Sequence, residues 1–98
     1  MAAWDPARLL DVFRADVETG KLPQVPYIVA PEAYAEHPNW APDLGAWYMS
    51  QFLDILASHP EVFSKTVLFV NYDEGGGHRS ECEARHQHRT FRLEALCA

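Results

Sequence analysis

Thr66-Val67-Leu68-Phe69-Val70-Asn71-Tyr72-Asp73-Glu74 is a run of β-branched and apolar residues that stops in two adjacent carboxylates. Such a run predicts a buried strand, and its end predicts two hard oxygen ligands delivered to the rim of a sheet. In open α/β sheets the ligand crevice lies outside the carboxyl ends of the strands, which is where Asp73 and Glu74 fall. Two acidic residues followed by Gly75-Gly76-Gly77 also suit a solvated turn, and the local pattern alone leaves both readings open.

Working back from this strand, Glu61-Val62-Phe63-Ser64 reads as a turn or short helical piece, and Ser58-His59-Pro60 stops the element before it. That element is a predicted helix capped by Asp43, with Leu44, Trp47, Tyr48, Gln51, Phe52, Ile55 and Leu56 on a broad apolar face. A loop precedes it in which Pro31, Pro38 and Pro42 oppose regular structure. The loop carries His37 and the two glutamates Glu32 and Glu36 beside Tyr34 and Trp40, more than a minimal connection needs, although His37 alone also suits a surface loop. Val25-Pro26-Tyr27-Ile28-Val29 reads as a short strand, and Pro26 places it at a sheet edge or a strand start. Farther upstream, Asp5-Pro6 opens a helix whose Leu9, Leu10, Phe13 and Val17 face a core, and Gly20 ends it.

Strand, helix, strand is a βαβ unit, with both strands expected parallel in a mostly parallel sheet. Two strands and two helices cannot cover such a sheet on both faces, so the expected fold class is a fragment of a larger α/β domain. At 98 residues the chain forms at most one small domain. Acidic residues outnumber Lys and Arg 14 to 8, giving a net charge of −6, which argues against a nucleic-acid partner. No apolar run approaches the roughly 20 residues of a membrane span, and the first residues show no basic and apolar signal-peptide pattern. The two cysteines, Cys82 and Cys97, say little about redox compartment.

Several short motifs recur in an order that resembles the bacterial phosphoesterase family. They are Leu22-Pro23-Gln24-Val25, Ile28-Val29-Ala30-Pro31-Glu32, Glu36-His37-Pro38, Gly45-Ala46-Trp47-Tyr48, His59-Pro60-Glu61-Val62, Ser64-Lys65-Thr66 and Tyr72-Asp73-Glu74. The family includes phosphocholine-specific phospholipases C and acid phosphatases, and it belongs to the alkaline phosphatase superfamily. The resemblance covers about residues 8 to 74 and implies an alkaline-phosphatase-like three-layer α/β sandwich.

By that resemblance, Asp73 and Glu74 are metal ligands on a catalytic divalent cation, and His37 contacts the phosphoryl group. Metal-held phosphoryl chemistry suits these side chains, since a divalent cation polarises a phosphoryl oxygen and an imidazole donates to it. The implied activity is phospholipase C-like hydrolysis of a phosphatidylcholine-type phosphodiester, and relatives of this kind are usually exported. The family's nucleophilic Ser or Thr and its acidic and amide pair have no counterpart in residues 1 to 24. The chain alone is therefore expected to be inactive.

The resemblance ends at Gly75. The family continues with an Asn-Asp-Gly turn and a Phe-Asp-His segment, whereas residues 75–98 here are rich in Arg, His, Gly and Cys. They are expected to be a divergent, disordered tail such as a shifted reading frame produces, leaving a truncated remnant of the enzyme. An alternative is a small non-catalytic metal-binding module in which His78, Cys82, His86 and His88 hold zinc, although the spacing fits no paired-ligand template. A third reading is an interaction module whose unpaired strands are completed by a partner chain.

Overall fold

The computed structural model describes residues 5–72 and the backbone of residues 91–97. Helix α1 spans Pro6–Thr19 and is built as its sequence predicts. The Asp5 carboxylate accepts from Ala7 N–H at 3.0 Å, Pro6 occupies the first turn, and Gly20 closes the helix at φ 69°. Strand β1 is shorter than its apolar run, only Tyr27–Val29, because Pro26 lacks the N–H a ladder needs.

Helix α2 spans Pro42–Ala57, and its start differs from expectation. Ala41 is the N-cap residue and Pro42 takes the first turn, so Asp43 lies inside the helix and does not cap it. Its carboxylate still sits at the positive end of the helix dipole. Helix α3, Pro60–Phe63, is a single turn whose Val62 carbonyl accepts from the Thr66 hydroxyl at 2.8 Å. That bond leads the chain into β2, Thr66–Tyr72.

The sheet is where the expected arrangement changes. Strand β3, Phe91–Cys97, lies between β1 and β2 and pairs antiparallel with each, Ile28 opposite Leu93 and Val70 opposite Leu93. The strands β1 and β2 thus run in the same direction, as a βαβ unit requires, but they do not pair, and no parallel ladder forms among the described residues. The physical reason is the row of unpaired N–H and C=O groups that each offers on its inner edge, which a strand from the tail can satisfy. Residues 91–97 of the tail thus form a strand of this sheet. The described architecture is a small α/β unit with one open sheet.

Helices α1 and α2 pack against part of one face of that sheet, at Ile28 and Leu68, while Val70 on the same face stays exposed. Leu10, Phe13 and Val17 meet Tyr48, Phe52, Ile55 and Leu56 in a core that also takes in Ile28 and Ala30. Phe52 stands edge-on to both Phe13, at 5.0 Å, and Tyr48, at 5.1 Å. The other face is uncovered among the described residues: Tyr27, Val29, Val67 and Phe69 are 50, 47, 53 and 44% exposed. Strand β2 is consequently not the fully buried strand its composition predicts, because no second helical layer lies over it here. No helix among the described residues is long and apolar enough to cross a membrane.

Tyr48 carries a cost inside this core. Its side chain is fully buried, and among the described residues its hydroxyl has no hydrogen-bond partner. Burial, with the neighbouring Tyr34 adding to it, pushes the phenol up to about 12. Because the folded phenol keeps its proton above pH 10 while the unfolded one loses it, stability falls as pH rises from about 10 towards 12. Tyr48→Phe should leave stability unchanged or raise it by up to about 1–3 kcal/mol, the cost of an unmade buried hydrogen bond. It should also remove part of the alkaline loss. Denaturant unfolding of both chains at pH 8 and pH 11 checks this, and a clear destabilisation of Tyr48→Phe at pH 8 would mean the hydroxyl has a partner.

A second prediction concerns Gly45, buried in the first turns of α2. A Cβ there would collide with Glu36 Cγ and would lie 3.1 Å from Glu36 Oε1 and 3.2 Å from Cδ. Gly→Ala inside a helix ordinarily gains about 1 kcal/mol. At this position crowding should reverse the sign, and Gly45→Ala should lose about 1–3 kcal/mol in chemical denaturation. A net gain would show that Glu36 moves aside freely.

Candidate active site

The loop between β1 and α2 carries His37, and its prolines shape it. Pro31 is extended at φ −58° and ψ 152°, and it leads into a single 3-10 turn, Glu32–Tyr34. Tyr34 N–H donates to the Pro31 carbonyl at 2.8 Å and Ala35 N–H to that of Glu32 at 3.3 Å. The Tyr34 ring lies 5.8 Å from Trp47 and 5.4 Å from Tyr48, and Ala35 is buried, so the turn is seated on α2. A loop that looked irregular in sequence is thus anchored at its middle by aromatic packing.

His37 follows at the half-buried shoulder of this loop. Its carbonyl accepts from Trp40 N–H at 2.9 Å, closing a turn around Pro38 and Asn39. Asn39 N–H approaches the His37 Nδ1 at 3.5 Å, a long contact that makes Nδ1 the acceptor. In the neutral ring the proton then sits on Nε2. Beside the same loop is an open cavity of about 590 Å³ lined by Pro6, Pro31, Glu32, Ala33, Tyr34 and Trp40. Its size is that of a small-molecule pocket, though His37 is not among these lining residues.

The residue before His37 joins the loop to the sheet. Tyr72, the last residue of β2, donates its phenolic O–H to Glu36 Oε2 at 2.8 Å, across 36 positions of sequence. Glu36 itself sits at φ 60°, and among the described residues no other non-glycine residue has a positive φ. That conformation costs on the order of 1 kcal/mol or more for a residue with a Cβ and persists only where its surroundings enforce it. Here the absent side chain of Gly45 leaves room for the Glu36 methylenes, and Tyr72 holds the carboxylate.

Of the residues singled out in the sequence, His37 is placed, half-buried, by the anchored loop. Asp73, Glu74, His78, Cys82, His86 and His88 lie outside the described residues, and Asp73 follows directly on Tyr72 in the chain. The structure therefore brings the His37 loop to the strand end from which the carboxylate pair continues. Among the described residues no three His, Cys, Asp or Glu side chains are grouped to hold a metal ion. Asp73 and Glu74 are oxygen donors of the kind a hard divalent cation takes, but such an ion needs six or more ligands, so two carboxylates are only part of a set. Sequence reading overlooked Glu36, Tyr72 and Gly45 as a connected group. Each stands in a motif with a recognised neighbour, Glu36 before His37, Tyr72 before Asp73 and Gly45 before Trp47, but nothing in a linear pattern reveals a bond between residues 36 and 72.

Comparison with known proteins agrees with this arrangement of motifs. A family model described as the Phosphoesterase family matches residues 2–85. A non-hemolytic phospholipase C of Burkholderia pseudomallei strain K96243 is 58% identical over 69 residues, which is 70% of this chain and 10% of that protein. The hemolytic phospholipase C of Pseudomonas aeruginosa PAO1 is 51% identical over 71 residues, 72% of this chain and 10% of its own length. Phospholipase C A of Mycobacterium tuberculosis H37Rv is 46% identical over 65 residues, 66% of this chain and 12% of its own. The chain thus spans about a tenth of the length of the curated relatives it matches. No solved structure matches it. With a family model covering most of its length and close identity to several phospholipases C, the chain belongs to the phosphoesterase family.

Proposed function

We propose that this chain is the part of a phospholipase C-type phosphoric ester hydrolase that supplies a phosphoryl-contacting histidine and two metal-binding carboxylates. The observation that carries the reading is the Tyr72–Glu36 hydrogen bond, because it joins the His37 loop to the end of β2, where Asp73 and Glu74 follow. The names of the relatives favour a phosphodiester of a phospholipid as substrate, most simply a phosphatidylcholine-type lipid cleaved to diacylglycerol and phosphocholine. The small α/β unit would then be one segment of an alkaline-phosphatase-like three-layer sandwich, whose other strands and second helical layer would cover the open sheet.

Each residue has a physical task in this reading. His37 donates Nε2–H to a phosphoryl oxygen, and the Asn39 contact at Nδ1 favours the tautomer that can do so. Asp73 and Glu74 would hold a divalent cation that supplies charge stabilisation to the phosphoryl group. The two carboxylates would bring the negative charge that such a cation site needs. A nucleophile and the remaining oxygen ligands are not identified in this chain, so the unit by itself is proposed to be inactive.

Calorimetric titration of the chain with Mg²⁺, Mn²⁺ and Zn²⁺ tests the assignment. Asp73→Asn or Glu74→Gln should weaken binding of a hard cation by more than the roughly 10–100-fold that loss of an outer-shell partner costs. Replacing His78, Cys82, His86 or His88 should leave that binding unchanged. If Zn²⁺ binding disappears with the tail variants and survives Asp73→Asn, the tail module is the metal site and the phosphoesterase assignment of these carboxylates fails. Turnover of a phosphocholine ester by the unaltered chain would show that a nucleophile lies within it.

A further inference from the structure

We propose that Glu36 is a positioning residue, a latch whose carboxylate is held by Tyr72 and whose backbone turn sets the orientation of the His37 side chain at the end of β2. The proposal deepens the function given above and rests on its assignment of His37 to the phosphoryl group. Three observations meet at Glu36. It alone among the described non-glycine residues has a positive φ, it packs where Gly45 has no Cβ, and its Oε2 takes the Tyr72 hydroxyl at 2.8 Å.

The geometry makes the three act together. The left-handed turn at Glu36 sends the chain back so that its side chain runs towards α2 and β2 while the next residue, His37, begins the turn closed by Trp40 N–H. Without the Tyr72 bond, the contact that keeps the carboxylate in place is lost and the backbone is free to relax to a negative φ. A relaxation of one residue's φ by more than 100° would swing the following side chain away from the strand end. A bond between two partly exposed side chains would be weak as a stabiliser of the whole fold, which is why its effect is expected to be local.

Nuclear magnetic resonance on the full 98-residue chain tests this, reading backbone order at residues 36–39 and the shift of the His37 ring on addition of inorganic phosphate with Mg²⁺. In the unaltered chain, order at these residues should approach that of α2, with order parameters near ~0.85, and phosphate should move the His37 ring signals. Tyr72→Phe keeps the aromatic ring and should drop order at residues 36–39 below ~0.6 while α1 and α2 stay unchanged. It should weaken phosphate binding at His37 by up to about tenfold, because a ring no longer held in one direction must be ordered on binding. Glu36→Ala removes the carboxylate without easing the left-handed conformation, and it should behave as Tyr72→Phe does. Glu36→Gln retains an oxygen acceptor of the same reach and should restore both readouts. A Tyr72→Phe chain with unchanged order and unchanged phosphate affinity overturns the latch and leaves the role of His37 standing. Absence of any phosphate shift in the unaltered chain overturns the role of His37, and the latch with it.

Discussion

The packing of Phe52 against Phe13 and Tyr48 is the contact on which the rest of this small unit depends. The two edge-on ring contacts, at 5.0 and 5.1 Å, fasten α1 to α2. Tyr48 passes the connection to Tyr34, and through Tyr34 the loop bearing His37 is seated on the same helix. Aromatic pairs of this geometry are worth about 0.5–1.5 kcal/mol beyond the area they bury, and here they also fix directions. A chain with so few residues has little other apolar surface to bury, so the orientation of the candidate site and the stability of the core come from the same side chains. The Tyr48 hydroxyl, without a partner among the described residues, is tolerated at the centre of this group because the ring, with its contacts on both sides, outweighs it.

The helices were legible in the sequence because their signals are local. Asp5-Pro6 and Gly20 mark the two ends of α1, and the spacing of Leu10, Phe13 and Val17 gives its buried face. Helix α2 was equally clear in its apolar positions, and only its first residue was misplaced, since Pro42 competes with Asp43 for the helix start. The sheet was not legible to the same degree. The direction of β1 and β2 follows from the helix between them, but which strand sits between them is a long-range choice. Residues 91–97 hold the answer in an alternation of Phe91, Leu93 and Ala95 with Arg92 and Glu94 that the unusual composition of the preceding segment obscured. His37, Asp73 and Glu74 were singled out through their motifs. The bond from residue 72 to residue 36 was beyond reach, because no periodicity links side chains that far apart.

The candidate site combines rigidity with strain in a way that fits its position. The 3-10 turn, the seated Tyr34 and the turn closed on His37 give the loop defined backbone hydrogen bonds at its start and its end. Within that order Glu36 alone keeps an unfavourable backbone angle. A strained residue next to a proposed reactive one is a familiar trade, in which the fold gives up a little stability to hold a side chain in one direction. The glycine at position 45 belongs to that arrangement as much as the glutamate does, since it provides the space into which the strained side chain settles.

The sheet face left uncovered among the described residues, with Tyr27 and Val29 on β1 and Val67 and Phe69 on β2 to either side of β3, bears on the thermodynamics of the chain as a whole. Burying an apolar side chain completely is worth roughly 1.5–3 kcal/mol, and since these four are already about half buried, covering them would add roughly 3–6 kcal/mol, a large share of the net stability of a small domain. The folding free energy of this chain is then not a constant of its sequence. It would rise with the concentration of any surface that binds that face in the folded state and not in the unfolded one.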